Sequence, residues 1–314
     1  MLPRRMEAYL LCLVLAVLLV LPLAIQDDYL LHIMIRSMIY ALVVMGLTLF
    51  IGYTGQVSIG HSAFYGGAGY IAGLMAIAGY GLLASWLTAV AVIGLAGLLI
   101  GLVVLHTKGN YLALASIAIA IMVVTLVKNI DVTGGPTGLT GIPKISLLGY
   151  KIASEVQFYY LALTSLCTGF IVLRRLIDSR FGDAMLAIAN NDLAAQALGI
   201  NIYHYKILSF SISAVYAAAA GVLAAYYDGY VSPEHVSLDL SILFFVMAYI
   251  GGIRSLYGAI LGAFVLTFLS EFAQDFGNYN TLMYGVLLAL IVRFMPTGIY
   301  DAPRVAYRNL KRWL

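Results

Sequence analysis

Between residues 52 and 73 the chain gathers small and polar side chains inside an otherwise apolar run. These are Gly52, Thr54, Gly55, Gln56, Ser58, Gly60, His61 and Ser62, then Gly66, Gly67, Gly69 and Gly73. Gln56, Ser58, His61 and Ser62 can donate and accept hydrogen bonds, and glycine lets a backbone or a solute come close. The set can hold a polar solute along a passage, and these four side chains are the candidate pathway residues. The competing reading is helix packing. Small residues four apart, as in Gly69 and Gly73, Gly97 and Gly101, or Gly258 and Gly262, let helices approach closely in lipid. The glycines read as packing residues. His61 reads equally either way, because ionisable groups in apolar surroundings are rare without a role.

Catalysis finds little support. Cys12 and Cys167 lie far apart in apolar runs, and His32, His61, His106, His204 and His235 are scattered without ligand spacing, so no metal site follows. No glycine is followed by lysine and Ser/Thr, so the chain carries no phosphate loop and an ATP-driven process would need ATP on another chain. Asp27, Asp28, Asp131, Glu155, Asp228, Glu234, Glu271 and Asp275 fall at expected span ends or outer loops. Glu7, Asp178, Asp183, Asp192 and Asp301 fall inside. Asp239 alone lies within an apolar segment, near its outer end. A carrier coupled to protons or sodium usually places an ionisable group near the midplane, which lowers the weight of that class.

The elements that must position these residues are membrane helices. The 314 residues are 63% hydrophobic and 10% charged, with a mean hydropathy of +0.98, against about 25% charged in soluble domains. A span needs about 20 apolar residues. Ten segments approach that: residues 8–25, 29–51, 59–78, 82–105, 111–127, 158–173, 207–227, 236–250, 256–272 and 279–295. The expected fold is an all-α polytopic transmembrane bundle of about ten spans (eight to ten), one domain over residues 1–314. The glycine-rich 59–78 and the short 236–250 are the candidates for partial or broken spans. Arg4 and Arg5 precede 8–25, which is too long for a cleaved signal and reads as the first span.

Charge sets the orientation. With both termini cytoplasmic, 13 of the 17 basic residues fall inside; Arg36, Lys128, Lys144 and Lys151 remain at the outer side or its edge. Residues 129–157, with Thr133-Gly134-Gly135-Pro136-Thr137-Gly138-Leu139, form an outer loop. Residues 177–205 fall inside. There, 183–198 lacks glycine and proline, stops at Gly199, and reads as one short helix along the inner face, with Met185, Ile188, Leu193 and Ala197 as an imperfect apolar stripe. Arg254 reads as a topology anchor, and the basic tail with Trp313 as an interfacial anchor in lipid. A net charge of +3 gives no case for nucleic acid.

Four segments in order resemble one family. They are Gly52-Tyr53-Thr54-Gly55-Gln56-Val57-Ser58-Ile59-Gly60-His61-Ser62-Ala63-Phe64, the outer-loop motif at 133–139, Ala194-Ala195-Gln196-Ala197-Leu198-Gly199-Ile200-Asn201, and Ser232-Pro233-Glu234 ahead of Gly251-Gly252. Together they resemble LivM-type permease subunits of branched-chain amino acid ABC importers. The resemblance implies a non-enzymatic transport subunit in a prokaryotic inner membrane, with a second, LivH-type permease, two ATPase subunits holding ATP and Mg, and a soluble periplasmic binding protein. It makes 129–157 a periplasmic loop and 177–205 a cytoplasmic coupling segment, with Asp183, Asn190, Asn191, Asp192, Gln196 and Gly199 facing the ATPase. Relatives commonly carry basic residues at the positions of Asp183, Leu186 and Ala189, an acidic one at Asn190, glycine at Arg254 and proline at Ala259. The solute stays open between branched-chain amino acids and urea, amides or other amino acids, and a self-contained secondary carrier remains the alternative.

Overall fold

The computed structural model describes residues 16–22, 27–105, 111–147, 150–152 and 154–274. The expected span at 279–295, the basic tail and most of 8–25 lie outside the described residues. The helices are α1 (Asp28–Thr54), α2 (His61–Ile77), α3 (Leu82–Val104), α4 (Tyr111–Asn129), α5 (Glu155–Ile177), α6 (Arg180–Asn190), α7 (Asp192–Ala197), α8 (Ile202–Asp228), α9 (Leu238–Gly251) and α10 (Leu256–Gln274). Five of them, α1, α3, α4, α5 and α8, are long and apolar enough to cross a bilayer. The chain is a predominantly helical membrane bundle.

Local chemistry explains where helices start and stop. The Asp27 carboxylate accepts from Tyr29 N–H at 2.9 Å, and α1 ends where Gly55 turns left-handed at φ 69°. Ser154 and Gln157 cap α5 reciprocally. Asn201 opens α8 by accepting from His204 N–H, and Gly229, at φ 74°, closes it.

Helices α1 and α8 are the centre of the bundle. Most of α1 beyond its first turn is buried, and it packs against α5, α8, α9 and α10. Helix α8 also touches α2 and α3. On α3 a narrow stripe, Leu82, Ser85, Ala89, Ile93, Gly97 and Gly101, is buried, while Leu83, Leu87, Leu95 and Val103 are exposed. An apolar surface of that kind suits lipid. Small residues set the closest approaches: Gly221 lies against the backbone carbonyl of Tyr65, and Gly251 and Gly258 against each other's carbonyls. The glycines therefore act in packing, as their spacing suggested.

Helix α2 departs from a simple span. It has 17 residues, and its first residue meets Ser213, roughly midway along the 27 residues of α8. Beyond that point α2 follows α8 outward, with Tyr65 beside Gly221 and Gly73 beside Leu139 and Ile142. Residues 55–60 are non-helical backbone reaching back from the end of α1 into the bundle. Helix α9, of 14 residues, also starts within the bundle, at the level of Ser62.

The loop at 129–152 adds elements that an all-helical reading omits. Two 3-10 turns, Asp131–Thr133 and Gly135–Thr137, lead into β1 (Leu139–Thr140); β2 (Ser146–Leu147) then pairs antiparallel with β3 (Tyr150–Lys151). Strand β1 pairs antiparallel with β4 (Tyr230–Val231), placing Leu139 opposite Val231. After β4, a 3-10 turn (Pro233–Val236) leads to α9.

A Cβ on Gly221 would strike the Tyr65 carbonyl, whereas one on Gly81 meets nothing within 4 Å. Gly221→Ala is therefore expected to cost about 1–3 kcal/mol of stability, and Gly81→Ala little, as read by thermal unfolding in detergent.

Candidate functional site

The 55–60 break exposes backbone polar groups inside the bundle, where they need protein partners. Ile59 N–H donates to Ser116 Oγ on α4 at 2.9 Å, and Ser62 N–H donates to Ser241 Oγ on α9 at 3.0 Å. The two serine hydroxyls lie 2.5 Å apart, and Ser62 Oγ also donates to the Val236 carbonyl at 3.1 Å. Ser241 then donates to Ser62 Oγ while accepting from its N–H. Gly60 leaves no room for a side chain, because a Cβ there would meet the Ser116 carbonyl.

His61 sits at the centre of this joint, 1% exposed. Ser213 Oγ donates its single proton to the Phe210 carbonyl at 2.7 Å, so across the 2.9 Å contact His61 Nε2–H is the donor. Nδ1 then accepts from Ser58 Oγ–H at 3.3 Å. The bonding is complete for a neutral imidazole. The rings of Phe64 and Phe210 stand edge-on to it at 5.7 and 6.0 Å. Of the sequence candidates, Ser58, His61 and Ser62 are thus brought together, buried and hydrogen-bonded, and Gln56 is half-buried. Among the described residues, no cluster of side chains could hold a metal. The arrangement ties α2 to α4, α8 and α9.

At the end of the bundle that carries α6 and α7 the structure corrects one expectation. Residues 183–198 are not one helix: Asn191 is extended at φ −161° and separates α6 from α7. Its side chain explains the break, since Oδ1 accepts from Ala194 N–H at 3.1 Å and so caps α7. Asp192 is also committed internally, to Lys206 Nζ at 2.7 Å. Asn190 lies 3.5 Å from an Arg254 Nη2 donor, and the Arg254 carbonyl accepts from Tyr53 Oη at 3.2 Å. Asp183 and Gln196 are exposed, and Gly199 turns left-handed at φ 82°.

Met185 and Ile188 are buried as expected, but Leu193 is not part of that stripe. Leu193 and Leu198 are each 78% exposed. Sequence reasoning passed over this pair because an apolar periodicity does not reveal which way a helix faces once the helix is broken. It placed Arg36 at the outer side or its edge without naming a partner; Arg36 pairs with Asp228 at 3.0 Å, and no sequence spacing signals a contact between residues so far apart in the chain.

An interior helix break, two central helices and a separate helix pair at one end describe a helical membrane subunit. The chain matches the family described as branched-chain amino acid transport system / permease component over residues 29–295, and it belongs to that family. It is 31% identical over 296 residues to the high-affinity branched-chain amino acid transport system permease protein LivM of Escherichia coli K12, covering 85% of this chain and 69% of that protein. It is 28% identical to BraD of Pseudomonas aeruginosa and 26% identical to LivH of Escherichia coli K12, in each case over 85% of this chain and 92% of the other. No solved structure matches it.

Ser241→Ala leaves Ser62 N–H without its acceptor and is expected to cost about 1–3 kcal/mol. Ser209→Ala, which removes only a bond to the Lys206 carbonyl in its own helix, is expected to cost less. Thermal unfolding of the two variants in detergent checks the difference.

Proposed function

We propose that this chain is the membrane-spanning permease subunit of an ATP-driven importer that carries branched-chain amino acids across a prokaryotic inner membrane. Membership of the permease family over most of the chain carries this reading. The LivM, LivH and BraD relatives are named as permease proteins of high-affinity branched-chain amino acid transport systems. The chain would work with a LivH-type permease, two ATPase subunits that hold ATP and Mg, and a periplasmic binding protein that delivers the solute. Ten spans with cytoplasmic termini, and a periplasmic loop at 129–157, fit the distribution of basic residues. Gln56, Ser58, His61 and Ser62 would act by holding the break at 55–60 in shape beside the solute's path.

Residues 177–205 form the coupling segment in this reading. Asn191 and Asp192 hold the segment's own shape, as cap and as ion-pair partner. Docking then falls to the exposed leucines, Leu193 and Leu198, with Asp183 and Gln196 at the rim and Gly199 closing the second helix. A protein interface concentrates its energy in such apolar anchors, with polar groups around them. An apolar contact also accounts for the missing basic residues at 183, 186 and 189.

The test is purification of the tagged chain from gentle detergent with its partners. A second permease and a phosphate-loop ATPase are expected to co-purify, and the reconstituted complex to take up leucine only with ATP and binding protein. Leu193→Asp with Leu198→Asp is expected to reduce recovered ATPase about tenfold, roughly the loss of one interface anchor, without altering thermal unfolding of the permease. A chain recovered alone that moves solute in liposomes without ATP would overturn the importer reading.

A further inference from the structure

At the outer end, three charged or titratable side chains from distant segments converge. Arg36 lies two turns inside α1, Asp228 ends α8, and His235 lies in the turn before α9. Arg36 Nη2 donates to Asp228 Oδ1 at 3.0 Å, with the carboxylate side chain 8% and the guanidinium side chain 32% exposed. His235 Nε2 is 3.5 Å from the other carboxylate oxygen. Ser232 N–H donates to His235 Nδ1 at 3.1 Å, which leaves the ring proton on Nε2, facing Asp228.

The other ion pairs among the described residues are of a different kind. Arg174 with Asp178 spans a single exposed helical turn, and Lys206 with Asp192 stands at the inner end. The neighbouring carboxylate, Glu155, is already taken by Tyr227 Oη at 2.6 Å, which in turn accepts from His32 Nδ1 at 2.8 Å. Arg36 and Asp228 are therefore the opposite charges that meet in the outer half of the bundle. Tyr40, Tyr65 and Phe244 pack edge-on to one another at 5.3–6.2 Å nearby, and Tyr65 lies over His235.

We propose that the Arg36–Asp228 pair is a receiving site for the zwitterionic head of an amino acid, an inference that rests on the importer reading above. The solute carboxylate takes the guanidinium fork, of which Asp228 occupies one donor, and Asp228 turns to the solute ammonium. His235 Nε2–H stays on the second carboxylate oxygen and fixes its direction. The physical case is charge matching. A lone charge entering a poorly solvated place leaves a partner unmatched, at high cost. A zwitterion exchanging with an existing ion pair leaves every charge matched before and after. The planar fork of arginine suits a carboxylate in two-point contact, and half-buried Tyr40, with exposed Tyr230 against the His235 ring at 5.7 Å, offers apolar surface to the side chain. The pair would thus select for solutes with both charges and reject those with one.

The experiment uses the assembled complex of permeases and ATPases without binding protein, whose own selectivity would mask the site. Equilibrium binding is measured for leucine, for leucinamide, which lacks the carboxylate, and for 4-methylpentanoate, which lacks the ammonium. The complex is expected to prefer leucine to either analogue by about thirtyfold, as for loss of a charged partner. Arg36→Gln is expected to collapse the leucine-to-leucinamide ratio to about threefold or less while keeping the ratio to 4-methylpentanoate. Asp228→Asn is expected to do the reverse. Arg36→Lys keeps the charge and the pair, guards against loss of fold, and is expected to weaken the two carboxylates, leucine and 4-methylpentanoate, while leaving leucinamide unchanged, since a lysine cannot make the two-point contact. If each substitution lowers all three affinities equally, the pair is a structural clamp and the proposal falls. A complex that takes up leucine with ATP and binding protein yet shows no preference among the three also overturns it. Failure of the wild-type complex to take up leucine would instead sink the importer reading, which keeps the two failures apart.

Discussion

A backbone that leaves its helix inside a membrane protein must find hydrogen-bond partners there, because lipid offers none. Residues 55–60 meet that requirement through serines on other helices: Ser116 serves Ile59, and Ser241 serves Ser62. Each of these bonds also fixes a distance between helices. The irregular stretch is therefore the place where α2, α4 and α9 are registered against one another, with His61 adding α8 through Ser213. Removing the break by making 52–77 one helix would free those hydroxyls and move every helix they hold.

From this joint the two ends of the bundle differ in character. The inner end is assembled from short helices with internal caps, and its polar residues are largely spent on holding its own shape. What it presents outward is apolar, Leu193 and Leu198. The outer end is assembled from side chains of opposite charge, phenols and imidazoles, brought together from α1, α5, α8 and the turn before α9. In the reading proposed above, docking of a protein and handling of a small polar solute fall to these two different surfaces, one at each end of a single permease.

Much of the fold was legible in the sequence, and the physics shows where legibility stopped. Long apolar runs identified α1, α3, α4, α5 and α8, because bilayer thickness fixes the length of a span. The glycine density at 59–78 and the shortness of 236–250 pointed to α2 and α9 as irregular. The four candidates Gln56, Ser58, His61 and Ser62 were singled out from composition alone, since polar groups stand out in an apolar run. Their bonds to Ser116, Ser213 and Ser241 were not readable, because ordinary serines in apolar helices carry no signal of what they touch. The kink at Asn191 was missed for a related reason: asparagine fits a helix interior tolerably and a cap well, and only the fold decides between them. The Arg36–Asp228 pair joins residues 192 positions apart in the sequence, and no local pattern encodes such a contact.

The pairing of β1 with β4 carries a consequence for how the chain is made. Leu139 emerges from the ribosome well before Val231, with α5, α6, α7 and α8 still to follow. The loop therefore waits without its partner strand until α8 is in place. Its pairing is a late event in biogenesis, and a chain stalled after α5 would present that loop to quality-control proteases as an unfinished edge.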